Sequence, residues 1–138
     1  MMILDTNVLS ELTRLQPNDK VMRWFAQQNE QELFTTSISH AEMLLGVKML
    51  AEGKRQSILY QAVVEIFEQD FANKVLAFDT VVVPHYVNVV LARQTIGRPI
   101  SQCDAQIAAI AECYQATLVT RNTKDFEHCG LTLVNPWL

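Results

Sequence analysis

At 138 residues the chain has the length of one domain, spanning 1–138, with no room for a separate ligand-binding or regulatory domain. Its 49% hydrophobic residues supply a real core and argue against intrinsic disorder. Eleven Lys and Arg against fifteen Asp and Glu leave a net charge of −4, which argues against attraction of the molecule as a whole to polyanions such as nucleic acid.

Met2 to Leu4 is a short apolar run and reads as a first strand, ended by Asp5. Asn18 or Asp19 can cap a helix to about Gln28, in which Val21, Trp24 and Phe25 recur at i, i+3 and i+4. Leu33 to Ile38 is the second strand. A helix is expected after Ser39, ending near Gly53, a residue suited to a left-handed terminal position. Lys54 to about Phe71 continues as a further helix, with Ile58, Val63, Ile66 and Phe67 on overlapping faces, and the two helices form a hairpin. Val75 to Phe78 is the third strand. Three consecutive valines at 81–83 favour a strand, but Pro84 suits the first turn of a helix, and a helix is expected from about Pro84. Gly97-Arg98-Pro99 makes a turn, and Ser101 starts a helix through Ala105, Ile107, Ala108 and Ile110 to about Tyr114. Thr117 to Thr120 and Leu131 to Val134 complete five strands. They are mostly continuous apolar runs, as in a sheet covered on both faces, so the pattern predicts an α/β fold with a largely parallel sheet.

Cys103, Cys113 and Cys129 are odd in number and lack a C-x-x-C pair, which fits neither a disulfide framework nor a thiolate zinc site and points to a reducing compartment. The start Met1-Met2-Ile3-Leu4-Asp5 lacks the layout of a signal peptide. The longest apolar stretch, Val81 to Ala92, is broken by Pro84, His85 and Asn88 and is too short to span a bilayer. A soluble, cytoplasmic protein is expected.

Any chemistry lies in where the acids fall. Asp5 ends the first strand; Glu42, Asp104 and Asp125 each stand three positions after a capping residue, namely Ser39, Ser101 and Asn122. Taken singly, each is explained by helix capping, because an acid at such a position satisfies orphan N–H groups and complements the helix dipole. Convergence is the competing explanation. In an open parallel sheet the carboxyl ends of the strands share one edge, where ligands bind, and Asp5, Glu42 and the Asn122/Asp125 pair each follow a strand. Asp104 follows no strand, so this argument does not place it. Two unit charges 4 Å apart repel by about 1 kcal/mol in water and about 4 kcal/mol at an effective dielectric of 20. A hard divalent cation offsets that repulsion, and Mg²⁺ and Mn²⁺ prefer carboxylate and water oxygens. Such a centre suits phosphoryl chemistry.

Leu4-Asp5-Thr6-Asn7, Ile38-Ser39-His40-Ala41-Glu42 with Gly46, Asp104-Ala105-Gln106-Ile107-Ala108-Ala109-Ile110-Ala111, Thr120-Arg121-Asn122-Thr123-Lys124-Asp125-Phe126 and the ending Asn135-Pro136-Trp137 together resemble the PIN-domain family, and within it the VapC and FitB toxins of bacterial type II toxin–antitoxin modules. Each motif alone is weak; their order and spacing cover essentially the whole chain. The resemblance implies a three-layer α/β/α sandwich, a Mg²⁺- or Mn²⁺-dependent endoribonuclease acting on RNA, a homodimer, and inhibition by a small antitoxin of the VapB or FitA kind, with higher assembly in its complex. Asp5, Glu42 and Asp104 occupy the family's acidic, metal-holding positions. Many relatives carry an acid where this chain has Asn122, and Asp125, one turn on, is the alternative source of that charge. Thr6 and Thr120 fit hydroxyls that orient the carboxylates, or ordinary packing and capping.

Arg121 and Lys124 flank Asn122, and Arg93 and Arg98 precede Asp104, so these four are candidates for a basic rim that holds phosphates without reading sequence; solvated surface charge is the plainer explanation of each. His40, His85 and His128 show no zinc spacing, His40 reads as an exposed first-turn residue, and Cys103 reads as a packing residue. Trp24, Phe25 and Phe67 read as core. Two other functions remain open: a phosphatase with Asp5 as nucleophile, disfavoured because Asn7 stands where such enzymes carry a second Asp, and a non-catalytic interaction domain whose acids are only caps. The excess of four acids equals the set Asp5, Glu42, Asp104 and Asp125, so the net charge that first argues against nucleic acid fits a local cation site.

Overall fold

A computed structural model describes residues 1–138. The elements in order are β1 (Met2–Leu4), α1 (Thr6–Glu11), α2 (Asp19–Ala26), β2 (Leu33–Thr36), α3 (Ser37–Lys48), α4 (Lys54–Glu65), β3 (Val75–Leu76), α5 (Val83–Thr95), α6 (Gln102–Cys113), β4 (Thr117–Val119) and β5 (Leu133–Val134), with short 3-10 turns at Glu30–Glu32 and Thr123–Phe126. All strand pairs are parallel, and the sheet order is β3-β2-β1-β4-β5. Met2 pairs with both Leu33 and Thr117, which puts β1 at the centre and brings the C-terminal ends of β2, β1 and β4 side by side.

Strands of only three residues suffice because alternate side chains enter separate cores. Ile3 and Leu118 join Val82, Val89 and the buried face of α6 on one side; Leu4 and Val119 join Val8, Leu9, Met43, Val63, Phe67 and Phe71 on the other. This is the three-layer α/β/α sandwich. In α6, Ala105, Ile107, Ala108, Ala109, Ile110 and Ala111 are all buried, and the alanines let the helix backbone lie close to the sheet. Each fully buried Ile or Leu contributes about 1.5–3 kcal/mol through removal of apolar surface from water. No helix is long and apolar enough to cross a membrane.

Several boundaries differ from expectation for identifiable reasons. The second strand stops at Thr36, because the Thr36 side chain accepts the Ser39 N–H at 3.1 Å and starts α3 directly from the strand. Ser39 is therefore inside the helix rather than its cap. Gly53 does not end α3; it precedes α4 with φ 154° and ψ −172°, a region essentially restricted to glycine. The expected helix to Phe71 widens after Glu65 into a π-helical turn, Ile66–Asp70, in which the Phe71 N–H donates to the Ile66 carbonyl at 2.8 Å. Pro84 sits in the first turn of α5, and Gly97 takes φ 71° in the turn after it.

Candidate functional site

At the C-terminal edge of β1 and β2 a polar cavity of about 460 Å³ is lined by Asp5, Thr6, Asn7, Ser10, Glu11, Arg14, Glu42, Asp104, Arg121, Asn122 and Trp137. Asp5 reaches it as the N-cap of α1: its side chain accepts the Thr6 N–H at 2.8 Å, while its carbonyl accepts from Val8 and Leu9. Glu42 arrives from the second turn of α3. Asp104 is in the first turn of α6, whose N-cap Ser101 accepts the Asp104 N–H at 3.2 Å. Thus the acid that no strand precedes reaches the same cavity through a helix start.

Two threonines hold the carboxylates. The buried Thr120 hydroxyl donates to Asp5 Oδ2 at 2.8 Å and accepts the Asn122 N–H at 3.1 Å. The Thr6 hydroxyl donates to Glu42 Oε1 at 2.8 Å and lies 2.9 Å from the buried Ser39 hydroxyl. Ser39 and Glu42, three residues apart inside α3, thus meet Thr6 from the same helix face.

Burial pushes the Asp5 carboxyl up from 3.8 to about 6, reinforced by the charges of Asp104 and Glu42 and opposed by the Thr120 and Thr6 hydrogen bonds. Burial likewise raises Asp104, with Asp125 and Glu42 adding repulsion. The acids therefore feel one another, and the wall they form is short of positive charge. Its donors are carboxylate, amide and hydroxyl oxygens, the hard set that Mg²⁺ and Mn²⁺ take. No three Asp, Glu, His or Cys side chains close around a single point, so the wall is not a complete all-protein cage.

The remaining expected residues separate. Asn122 lines the cavity and Asp125 does not, although its charge reaches Asp104. Arg121 is on the rim. Arg93 is not: it is 5% exposed, and its guanidinium donates to the Arg98 carbonyl at 2.6 Å and the Asp125 carbonyl at 2.7 Å, tying the end of α5 to the 3-10 turn beyond β4. Arg98 lies off the cavity in a 3.5 Å ion pair with Glu127, and Lys124 is also outside the lining. Cys103 is exposed rather than packed, and burial together with Glu42 and Asp104 raises its thiol pKa, which keeps it from acting as a thiolate. His40 is half-buried and stacks on Phe67 with ring centroids 4.3 Å apart.

Five lining residues were not anticipated: Asn7, Ser10, Glu11, Arg14 and Trp137. Asn7, Ser10 and Glu11 follow from α1, which is too short to show apolar periodicity, and the available signal was Asp5 as a cap, after which these three recur at i, i+3 and i+4; Arg14 is in the turn beyond α1, its N–H donating to the Glu11 carbonyl at 3.2 Å.

The family model of the PIN domain matches residues 2–130, nearly the whole chain and all three carboxylates. The chain belongs to the PIN-domain family. Among its PIN-domain relatives, the plasmid stability protein StbB of Pseudomonas syringae pv. tomato is 37% identical, over 99% of each chain. Toxin FitB of Neisseria gonorrhoeae is 34% identical over 99% of each, and the VapC ribonuclease Y4jK of Sinorhizobium fredii is 34% identical over 99% of this chain and 98% of that one. The solved structure of FitAB bound to an IR36 DNA fragment superposes with a TM-score of 0.93 at 35% identity, covering 100% of this chain and 96% of its counterpart. A DNA-bound VapBC from Salmonella typhimurium gives 0.81 at 25% identity, covering 98% and 97%. The PIN fold expected from the ordered motifs is thereby established.

Proposed function

We propose that the chain is a metal-dependent endoribonuclease and the toxin component of a type II toxin–antitoxin module, acting on RNA in the cytoplasm as a homodimer and restrained by a small antitoxin of the VapB or FitA kind, with which it forms a higher assembly. The observation that carries this reading is the meeting of Asp5, Glu42 and Asp104 in one cavity at the carboxyl edge of a parallel sheet. The names of the toxin and ribonuclease relatives support the activity, and the FitAB and VapBC structures support the antitoxin partner.

Asp5, Asp104 and Glu42 are the residues that would hold Mg²⁺ or Mn²⁺, with Asn122, which lines the cavity where Asp125 does not, completing the site and water and phosphate filling the rest of the shell, the arrangement Mg²⁺ favours. Such an ion supplies charge to the phosphate and makes a nearby water more acidic. Thr120 keeps Asp5 aimed into the cavity against the repulsion of its neighbours. Glu42, exposed at the mouth and steered by Thr6, is placed to orient water and take its proton as the phosphodiester is attacked in line. Arg121, exposed and also lining the cavity, is placed to hold the RNA backbone.

A growth assay tests the toxin reading. Overexpression without antitoxin should arrest growth, and Asp5→Asn should relieve the arrest at equal protein level; arrest by both forms, or by neither, contradicts it.

A further inference from the structure

Trp137 is the one apolar residue lining the cavity, and the Arg121 guanidinium lies over its ring at 5.0 Å to the centroid. The pair is built into the site. Asn135 accepts the Trp137 N–H at 2.9 Å and donates to the Arg121 carbonyl at 3.3 Å, the intervening Pro136 is buried, and the indole packs against the core that contains Leu4 and Val119. The Arg121 N–H in turn donates to Asn7 Oδ1 at 3.3 Å, and Asn7 Nδ2 lies 3.5 Å from Asp5 Oδ2. The aromatic face is thus fixed relative to the carboxylates through a short chain of hydrogen bonds.

Arg121 shares its cavity with four carboxylates yet forms no ion pair with any of them; the chain's four ion pairs involve other groups. A planar cation over an indole, unpaired and beside an acidic centre, is the chemistry that receives an unstacked base and its phosphate together.

We propose that Trp137 and Arg121 form a base-stacking subsite that seats the nucleotide next to the scissile phosphate, so that the enzyme takes RNA through an unpaired base. This rests on the ribonuclease reading and adds to it a substrate feature, a single-stranded nucleotide recognised by its π-face rather than by its sequence.

The test uses fluorescence, because the chain has only two tryptophans. In a Trp24→Phe chain all indole emission comes from Trp137. Titration with oligouridylate in chelator, where cleavage is absent, should quench that emission saturably, and the same oligomer with an abasic site at the seated position should not. Trp137→Ala should weaken binding roughly 5- to 150-fold, the range of one base–aromatic stack. It should raise KM for RNA more than it lowers kcat, whereas Trp137→Phe should retain most of both; Arg121→Lys, which keeps the charge and loses the plane, should fall between. Equal affinity for intact and abasic oligomers overturns the subsite while leaving RNA cleavage intact, and because that comparison changes only the ligand it holds even if Trp137→Ala misfolds. A wild-type chain that neither binds nor cuts RNA overturns the subsite and the ribonuclease reading together.

Discussion

Replacing Asp5 by Asn should make the metal-free protein progressively more stable than wild type as pH rises. Asp5 is 5% exposed, and its carboxyl is pushed up from 3.8 to about 6 in the folded chain, chiefly by burial. Between those values the folded chain holds a proton that the unfolded chain has released. The neutral carboxyl therefore contributes its full stabilisation below pH 3.8, and that contribution is lost as pH rises through 6. At about 1.36 kcal/mol per pH unit, the interval corresponds to about 3 kcal/mol. For a domain of this size that is a shift in Tm of about 10 °C. Asn imposes its own cost at the Thr120 and Thr6 hydrogen bonds, but that cost is the same at every pH and cancels when pH 4 is compared with pH 8. Urea unfolding of both proteins in chelator, from pH 4 to 8, measures the difference. A gap between variant and wild type that moves in the variant's favour by about 2–2.5 kcal/mol from pH 4 to 8, the remainder being lost below pH 4, supports the buried-carboxylate account; a gap that stays constant, or moves in favour of wild type, refutes it. Saturating Mg²⁺ at pH 8 should stabilise wild type more than Asp5→Asn, since the variant lacks one of the three carboxylates that would hold the ion.

The other expectations concern single contacts. Thr120→Val deletes the donor to Asp5 and the acceptor for the Asn122 N–H, and should lower RNA cleavage by about 10- to 100-fold in a steady-state assay, with Thr120→Ser retaining most activity. Glu42→Gln should reduce kcat by about 10²–10⁴-fold with unchanged circular dichroism, because Glu42 is exposed and its loss leaves no core defect. Arg93→Ala should cost about 3 kcal/mol in urea unfolding by orphaning the Arg98 and Asp125 carbonyls, whereas Arg98→Ala, in an exposed pair, should cost less than about 1 kcal/mol. Cys103→Ser should leave cleavage unchanged.

Strand positions and acid placement were legible wherever a local signal coincided with a global one, while the strand order was not. The apolar runs before Asp5 and Asn122 are strands because each must fill two cores at once, and the carboxylates that follow inherit a shared edge from parallel pairing. Asp104 was readable as a first-turn residue of a helix, but its approach to Asp5 depends on how α6 lies across the sheet, which local periodicity does not encode. The Ser39 reading failed because Thr36 and Ser39 are both hydroxyl residues able to cap, and the strand's own end decides between them. Arg93 was misplaced for a similar reason. A charge near the site in sequence is indistinguishable from a buried staple until the partner carbonyls are known, and those come from 5 and 32 residues away. Trp137 lay outside the site reasoning because its role depends on β5 returning the chain end beside β4.

The central claim is that the acid-walled cavity of this PIN domain cuts RNA with the help of a divalent cation. Purified, antitoxin-free protein incubated with single-stranded RNA and Mn²⁺ or Mg²⁺ tests it directly. The account predicts endonucleolytic cleavage that disappears in chelator and falls to background in Asp5→Asn and Asp104→Asn; cleavage that persists undiminished in either variant, or no cleavage by a folded wild-type chain with either ion, would contradict it.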